Sequence, residues 1–218
     1  MAHTLQSELD LLEKQLLTLS AVVEQSLHHA AKALRAQDVD LARKVIKNDD
    51  QINRMEVDLE EECLKILALH QPVAHDLRTI IAILKINNDL ERIADLSANI
   101  CERVLDVAEA PTVNSPLEIE VMVLKVVEML EKALDALINA DNELAERTLA
   151  LDEDVDTIHS GNYQLFKDRV RQHPEEVASQ LNYLTISRHL ERIADLATNI
   201  AEYVIYLNKG TIVRHQKV

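Results

Sequence analysis

Leu90-Glu91-Arg92-Ile93-Ala94-Asp95-Leu96 occurs a second time, unchanged, as Leu190-Glu191-Arg192-Ile193-Ala194-Asp195-Leu196. Asn99-Ile100 and Glu102 return as Asn199-Ile200 and Glu202 at the same offset of 100. Moving outward towards the N-terminus, Pro72 meets Pro174 at an offset of 102. At 103, Asp49-Asp50-Gln51-Ile52-Asn53 meets Asp152-Glu153-Asp154-Val155-Asp156, and Asp38-Val39-Asp40-Leu41-Ala42 meets Asp141-Asn142-Glu143-Leu144-Ala145. Each short match lies in register with the others, which an internal duplication explains and coincidence does not. The Pro111 to Pro116 linker is the natural boundary, so the repeats are expected over 1–110 and 111–218.

The repeats read as helical. All four prolines fall where an apolar pattern stops or starts, because proline lacks a backbone donor and fits only the first turn of a helix. Asp38 and Asp141 are placed as N-caps. These breaks predict six helices, over 4–35, 38–70, 74–107, 116–139, 141–172 and 175–208. Leu5, Leu9, Leu12, Leu16, Leu19 and Val23 step by alternating fours and threes, and Leu41, Val45, Ile52, Met55, Leu59 and Ile66 keep the same rhythm, the seam of a left-handed bundle. A rod of 33 residues is about 50 Å long, and short connections fold such rods back on one another. The expected fold is all-α: two pseudo-symmetric antiparallel three-helix bundles. Ser160-Gly161, inside the fifth helix, marks a candidate bend.

Composition agrees with helices. The 218 residues are 47% apolar and 28% charged, with only 2 Gly, 4 Pro and 2% aromatics, too few turn formers for a β-sandwich or an α/β sheet. A formal charge of -15 repels phosphate backbones and anionic lipid, so nucleic acid is not an expected partner. No signal pattern or spanning stretch stands out, and a cytoplasmic location is expected. Cys63 and Cys101 have no CxxC or zinc spacing and are read as small core residues.

The third helix of each repeat carries the chemistry. One of its stripes stays apolar through Ile83, Leu90, Ile93, Ile100 and Val104. The other runs Leu77, Ile81 and Leu84, then turns polar as Asn88, Glu91 and Asp95. The second repeat does the same with Val177, Leu181 and Leu184, followed by Arg188, Glu191 and Asp195. Glu91, Asp95, Asn99 and Glu102 lie within roughly 80° of one another on a helix surface. Antiparallel pairing about Pro72 sets Asp49 level with Asp95 and Asn53 level with Glu91. About Pro174, Asp152 and Asp156 flank Glu191 and Asp195. Like charges four residues apart repel, a cost a bound cation removes. The candidate ligands are therefore Glu91, Asp95, Glu191 and Asp195, supported by Asp49, Asn99, Asp152, Asp156 and Asn199. The candidate ions are Fe, Mn, Mg, Ca and Zn, with hard, oxygen-preferring cations favoured. Arg92 and Arg192 are the alternative neutralisers.

Other chemical signals are sparse. There is no His-Glu-x-x-His, no Gly-rich phosphate loop and no nucleophile placed with a His and an acid at a motif spacing. Asp156-x-x-His159 is the nearest relative of a di-iron Glu-x-x-His and lacks a partner. His189 sits across the turn from Glu191, and His28 and His29 read as surface residues. A non-enzymatic protein is expected, the alternative being a metal-dependent enzyme acting on a phosphorylated substrate.

These residues carry a resemblance to the PhoU family. It rests on Asp49-Asp50-Gln51-Ile52-Asn53, Glu61-Glu62-Cys63-Leu64, Gln71-Pro72-Val73-Ala74-His75-Asp76-Leu77-Arg78, both Leu-Glu-Arg-Ile-Ala-Asp blocks with Asn99 and Asn199, and the ending Tyr206-Leu207-Asn208-Lys209-Gly210 with Arg214-His215. The resemblance implies a negative regulator of the phosphate-starvation response, frequently dimeric. Its implied partners are the phosphate-sensing histidine kinase and the ATPase of the phosphate ABC transporter, with membrane association only through those proteins. It also implies metal ions, iron clusters among them, held by Glu-x-x-x-Asp motifs, here Glu91, Asp95, Glu191 and Asp195. Both blocks read Ile-Ala-Asp where the family often has Ile-Gly-Asp, so a methyl group is added at Ala94 and Ala194.

Overall fold

The computed structural model describes residues 2–109 and 115–210, with side chains from Leu5 onward. The expected boundary between 110 and 111 and the Arg214-His215 pair lie outside the described residues. The first repeat comprises α1 (Ala2–Ala36), α2 (Val39–His70) and α3 (Ala74–Glu109). The second comprises α4 (Ile119–Asn139), α5 (Asn142–Leu149), α6 (Asp152–Gln172), a 3-10 turn (Pro174–Glu176) and α7 (Val177–Lys209). The described residues contain no strand.

Both repeats turn their first corner in the same way. Gln37 and Ala140, each at φ 50°, end α1 and α4 in the left-handed region. The next residue, Asp38 or Asp141, donates its N–H back to Ala33 O (2.9 Å) or Ala136 O (3.0 Å). The same aspartate accepts from the N–H of Leu41 or Leu144, 3.0 Å in each case. One residue thus closes the outgoing helix and caps the incoming one. At the second corner of the first repeat, Gln71 (φ 47°) and Ala74 (φ 51°) turn the chain around Pro72. Its counterpart is fastened by Arg169, which donates from Nε and Nη2 to the two carboxylate oxygens of Glu176, both at 2.7 Å.

Three expected boundaries are corrected. The fifth predicted helix, 141–172, is broken at Ala150-Leu151. Thr148 Oγ1 donates to Leu144 O (3.0 Å), and Leu151 N–H reaches back only to Thr148 O (3.1 Å), so the last turn tightens. Asp152, Glu153 and Asp154 then fill the first turn of α6, where the helix dipole favours acids. The chain passes through Ser160-Gly161 without interruption. The fourth helix starts at Ile119 rather than 116, because Asn162 Oδ1, fully buried, accepts the Glu118 N–H at 2.7 Å. The last helix is entered through the 3-10 turn at Pro174–Glu176, so its α-helical part starts at Val177 rather than 175.

The core is continuous across the two repeats. Leu12, Leu19, Ile52, Leu59, Ile83, Leu90 and Ile93 of the first share one buried cluster with Met122, Val126, Met129, Val155, Leu190, Ile193 and Ile200 of the second. α3 and α7 pack on each other at its centre, while α2 and α5–α6 lie outside them. Residues 90–100 and 190–200 show the same sequence of buried, half-buried and exposed positions, residue for residue. Matching sequence, differing only at Ser97-Ala98 against Ala197-Thr198, in an equivalent environment is what a duplication leaves behind. Cys63 and Cys101 are buried free thiols, each pushed up to about 12, first of all by desolvation, so neither is a reactive thiolate.

Candidate metal centres

Each long central helix faces its outer partner across three polar rungs. In the first repeat Asp49, Asn53 and Glu56 occupy one face of α2 at the i, i+4, i+7 spacing. Antiparallel to them, Asp95, Glu91 and Asn87 occupy the facing side of α3. In the second repeat the same places are held by Asp152, Asp156 and His159 on α6 and by Asp195, Glu191 and Ser187 on α7. Expected register is met: Asp49 feels the charge of Asp95, and Asp152 that of Asp195. The end rung is joined directly in both repeats. Asn87 Nδ2 donates to Glu56 O (2.9 Å) and Glu56 Oε1 (3.2 Å), and His159 Nδ1 lies 2.9 Å from Ser187 Oγ.

Burial first, and neighbouring acid charges second, raise the proton affinity of Asp49, Glu56, Glu91, Asp152, Glu191 and Asp195. Burial is the largest cause of the upward shift of Asp49, followed by the charge of Asp95. Burial likewise leads for Glu91, ahead of Asp95, Glu56 and Asp49, and for Glu56, ahead of Glu60. Asp152 is pushed up to about 6, by burial first and then by Asp156, Asp195 and Glu191. Glu191 is raised by burial, Asp195 and Asp156, and Asp195 by burial and Asp156. Arg92, and Arg188 with Arg192, oppose these shifts. However, among the described residues no basic nitrogen comes within 4.0 Å of a carboxylate oxygen in either ladder. The expected alternative of arginine pairing is not what the structure holds.

The residues present fit a cation. Asp49 Oδ2 accepts from Asn53 Nδ2 at 3.0 Å, while Asp49 Oδ1 and Asn53 Oδ1 are buried and lack any hydrogen-bond partner. A buried orphaned acceptor costs about 1–3 kcal/mol, and two of them one helical turn apart make an oxygen site in want of positive charge. The methyl groups of Ala94 and Ala194 point elsewhere. Both residues are at most 1% exposed and belong to the apolar core, so they do not crowd the ladders.

Not every candidate is drawn in. Asn99 and Asn199 are half-buried one turn beyond Asp95 and Asp195, with no side-chain hydrogen bond to a ladder among the described residues. His189 is also half-buried. Its Nδ1 is buried without a partner, and burial, then Arg192, Arg103 and Arg188, hold its pKa down. His28 is exposed, as expected, and its Nε2 lies 3.0 Å from Glu131 Oε1 in a surface pair between α1 and α4. Among the described residues, triads with a ligand atom apiece within 4.8 Å occur at Glu24, His28 and Glu131 and at His173, Glu175 and Glu176, not on the ladders. Sequence reasoning passes over Glu56, Asn87 and Ser187. The repeat offsets point to all three, since Glu56 aligns with His159 at 103 and Asn87 with Ser187 at 100.

A duplicated helical bundle with one acid ladder per repeat defines a narrow class of all-α proteins. The PhoU domain profile matches this chain twice, over residues 16–104 and 119–204, and the chain belongs to the PhoU family. It is 37% identical to the phosphate-specific transport system accessory protein PhoU homolog of Aquifex aeolicus, over 97% of this chain and 96% of that protein. It is 34% identical to the Escherichia coli phosphate-specific transport system accessory protein PhoU, over 96% of this chain and 87% of that one. The crystal structure of PhoU from Pseudomonas aeruginosa superposes with a TM-score of 0.91 at 37% identity, covering 94% of this chain and 99% of that one. The regulatory protein PhoU of the Streptococcus pneumoniae phosphate transport system gives 0.84 at 31% identity, covering 96% and 99%.

Proposed function

We propose that this protein is a non-enzymatic regulator that links a phosphate ABC transporter to a phosphate-sensing histidine kinase and keeps the phosphate-starvation response off while phosphate is plentiful. The observation that carries the reading is full-length membership of a family whose relatives are named as accessory proteins of phosphate-specific transport. A rigid helical body with a continuous core is suited to docking, since binding it costs little ordering entropy. The transporter ATPase and the kinase are its partners. The protein works in the cytoplasm and meets the membrane only through them. No described helix is long and apolar enough to cross a membrane. The resemblance further implies a homodimer, which light scattering would register as twice 24.7 kDa.

The ladders hold cations in this reading. Asp49, Asn53, Glu91 and Asp95 bind in the first repeat, and Asp152, Asp156, Glu191 and Asp195 in the second. A bound cation would supply the positive charge that relieves the crowding of carboxylates and would fix α2 against α3 and α6 against α7. Support comes from the orphaned oxygens of Asp49 and Asn53 and from the lack of basic partners among the described residues.

The test is a deletion strain carrying a phosphate-starvation reporter, together with affinity capture from membranes in high and low phosphate. Deletion should switch the reporter on in phosphate-rich medium, and the kinase and ATPase should be recovered with the protein. An unchanged reporter contradicts the regulatory role. Turnover of a phosphorylated substrate that disappears in Glu91→Ala and Glu191→Ala variants would establish an enzyme instead.

A further inference from the structure

The first helices of the two repeats meet along a seam remote in sequence from either ladder. α1 and α4 run antiparallel there: Arg35 pairs with Glu120 at 2.6 Å, and His28, two turns back on α1, pairs with Glu131, three turns on along α4, at 3.0 Å. Leu27 on α1 and Leu130 and Leu134 on α4 belong to the shared core and are at most 3% exposed, so the backbones beneath the seam are fixed. A site built on such elements keeps its geometry.

Three ligand-bearing side chains converge on the seam from both repeats. Glu24 and His28 stand one turn apart on the same face of α1, and Glu131 meets them from α4. A carboxylate oxygen of Glu24, a ring nitrogen of His28 and a carboxylate oxygen of Glu131 all lie within 4.8 Å of one another. Metal-ligand distances of about 2.0–2.2 Å call for ligand atoms somewhat closer than that, a gap that rotation of two glutamate side chains closes. Glu24 has given up water without gaining a partner. It is half-buried and forms no hydrogen bond or ion pair among the described residues; its proton affinity is raised by burial first, with His28 opposing and Glu131 and Asp135 adding to the rise. Asp135 follows Glu131 by one turn of α4. Among the described residues no lysine or arginine nitrogen comes within 4.0 Å of the Glu24 or Glu131 carboxylate. A cleft lined by His28, Ala31, Arg35, Val123 and Val127 opens beside the ring and gives a hydrated ion its approach.

We propose that Glu24, His28 and Glu131 form a site for a divalent transition metal, Zn2+ above all, that clamps the first repeat to the second. One imidazole nitrogen with two carboxylate oxygens is a borderline donor set, which suits Zn2+ better than Mg2+ or Ca2+. The ion takes the place of the hydrogen that lies between His28 Nε2 and Glu131 Oε1 when no metal is bound. Its remaining position falls to water or to Asp135. Because the ligands come from both repeats, binding stabilises the contact of α1 with α4. The ladders lie between α2 and α3 and between α6 and α7, so the two readings stand or fall separately.

The test uses the full chain, purified without an affinity tag and stripped of metal. Zn2+ is titrated while the ring nitrogens of the nine histidines are followed by nitrogen-15 NMR, with calorimetry for affinity. One histidine, identified by its absence in His28→Gln, should move its Nε2 resonance to the metal-bound position. His28→Gln and Glu24→Gln should each lower Zn2+ affinity at this site tenfold or more, with circular dichroism confirming that both fold. Glu131→His destroys the imidazole–carboxylate pair but supplies another zinc ligand, so Zn2+ binding should survive in it, as no simple ion pair could. Saturating Zn2+ should raise the unfolding temperature of the parent by more than that of His28→Gln. Unmoved His28 nitrogens at saturating Zn2+, or an affinity indifferent to His28→Gln, would overturn the proposal and leave a surface ion pair. Zn2+ at the ladders alone would overturn it as well while the ladder reading stood, and Zn2+ at the seam alone would uphold it and remove the ladder reading.

Discussion

Asp195 shares one rung with Asp152 between α6 and α7, and its charge, behind burial and Asp156, helps to raise the proton affinity of Asp152, with no basic nitrogen within 4.0 Å of either among the described residues. The native state holds Asp152 in a setting where its charge is unfavourable, and this has consequences for stability.

A carboxyl raised from 3.8 to about 6 binds its proton more tightly folded than unfolded, so it lowers stability above pH 6 and ceases to do so as pH falls towards 4. Metal-free protein should therefore gain stability between pH 7.5 and 5, by up to about 1 kcal/mol from this group after discounting for its half-exposed position. Asp152→Asn should be more stable than the parent at pH 7.5 and show a flatter profile, read by urea unfolding at each pH. A parent whose stability falls steadily over that interval, with the variant parallel to it, would contradict this electrostatic picture.

The two first corners predict paired effects. Asp38→Ala and Asp141→Ala each remove a 3.0 Å cap and should cost about 1 kcal/mol. Ala140→Gly relieves a left-handed alanine and should stabilise by up to about 1 kcal/mol. Chemical denaturation measures all three, and equal losses in the two aspartate variants are the signature of a duplicated corner.

Leu90 and Leu190 are both buried to within 1% in the same continuous core. Leu90→Ala and Leu190→Ala should each cost about 2–5 kcal/mol, whereas Arg92→Ala and Arg192→Ala, on exposed positions, should change stability by less than about 0.5 kcal/mol. A single unfolding transition in both leucine variants would follow from the shared core. Two separated transitions would mean that the repeats unfold independently.

Much of this was readable before any coordinates. Caps and prolines act locally, so Asp38, Asp141, Pro72 and Pro174 announce their corners. The register of Asp49 against Asp95 follows from an antiparallel turn. The break at Ala150-Leu151 has no such announcement, since both residues are good helix formers and the cause lies in the Thr148 back-bond and the acid triplet beyond. Ser160-Gly161 looks like a bend, but a helix tolerates an isolated glycine with open space around it. The contact of His159 with the Ser187 hydroxyl is not announced locally, since Ser187 is an unremarkable residue until the repeats are laid over one another. The merging of two bundles into one core depends on α3 meeting α7, a contact that no local pattern encodes.

The most direct test of the account is elemental analysis of tag-free protein after loading and dialysis, run beside a Glu91→Ala, Asp95→Ala, Glu191→Ala, Asp195→Ala variant shown by circular dichroism to be folded. Bound metal is expected at each repeat of the parent and at neither ladder of the variant. Equal metal on both proteins, or none on either, would show that the paired acid ladders are not cation sites.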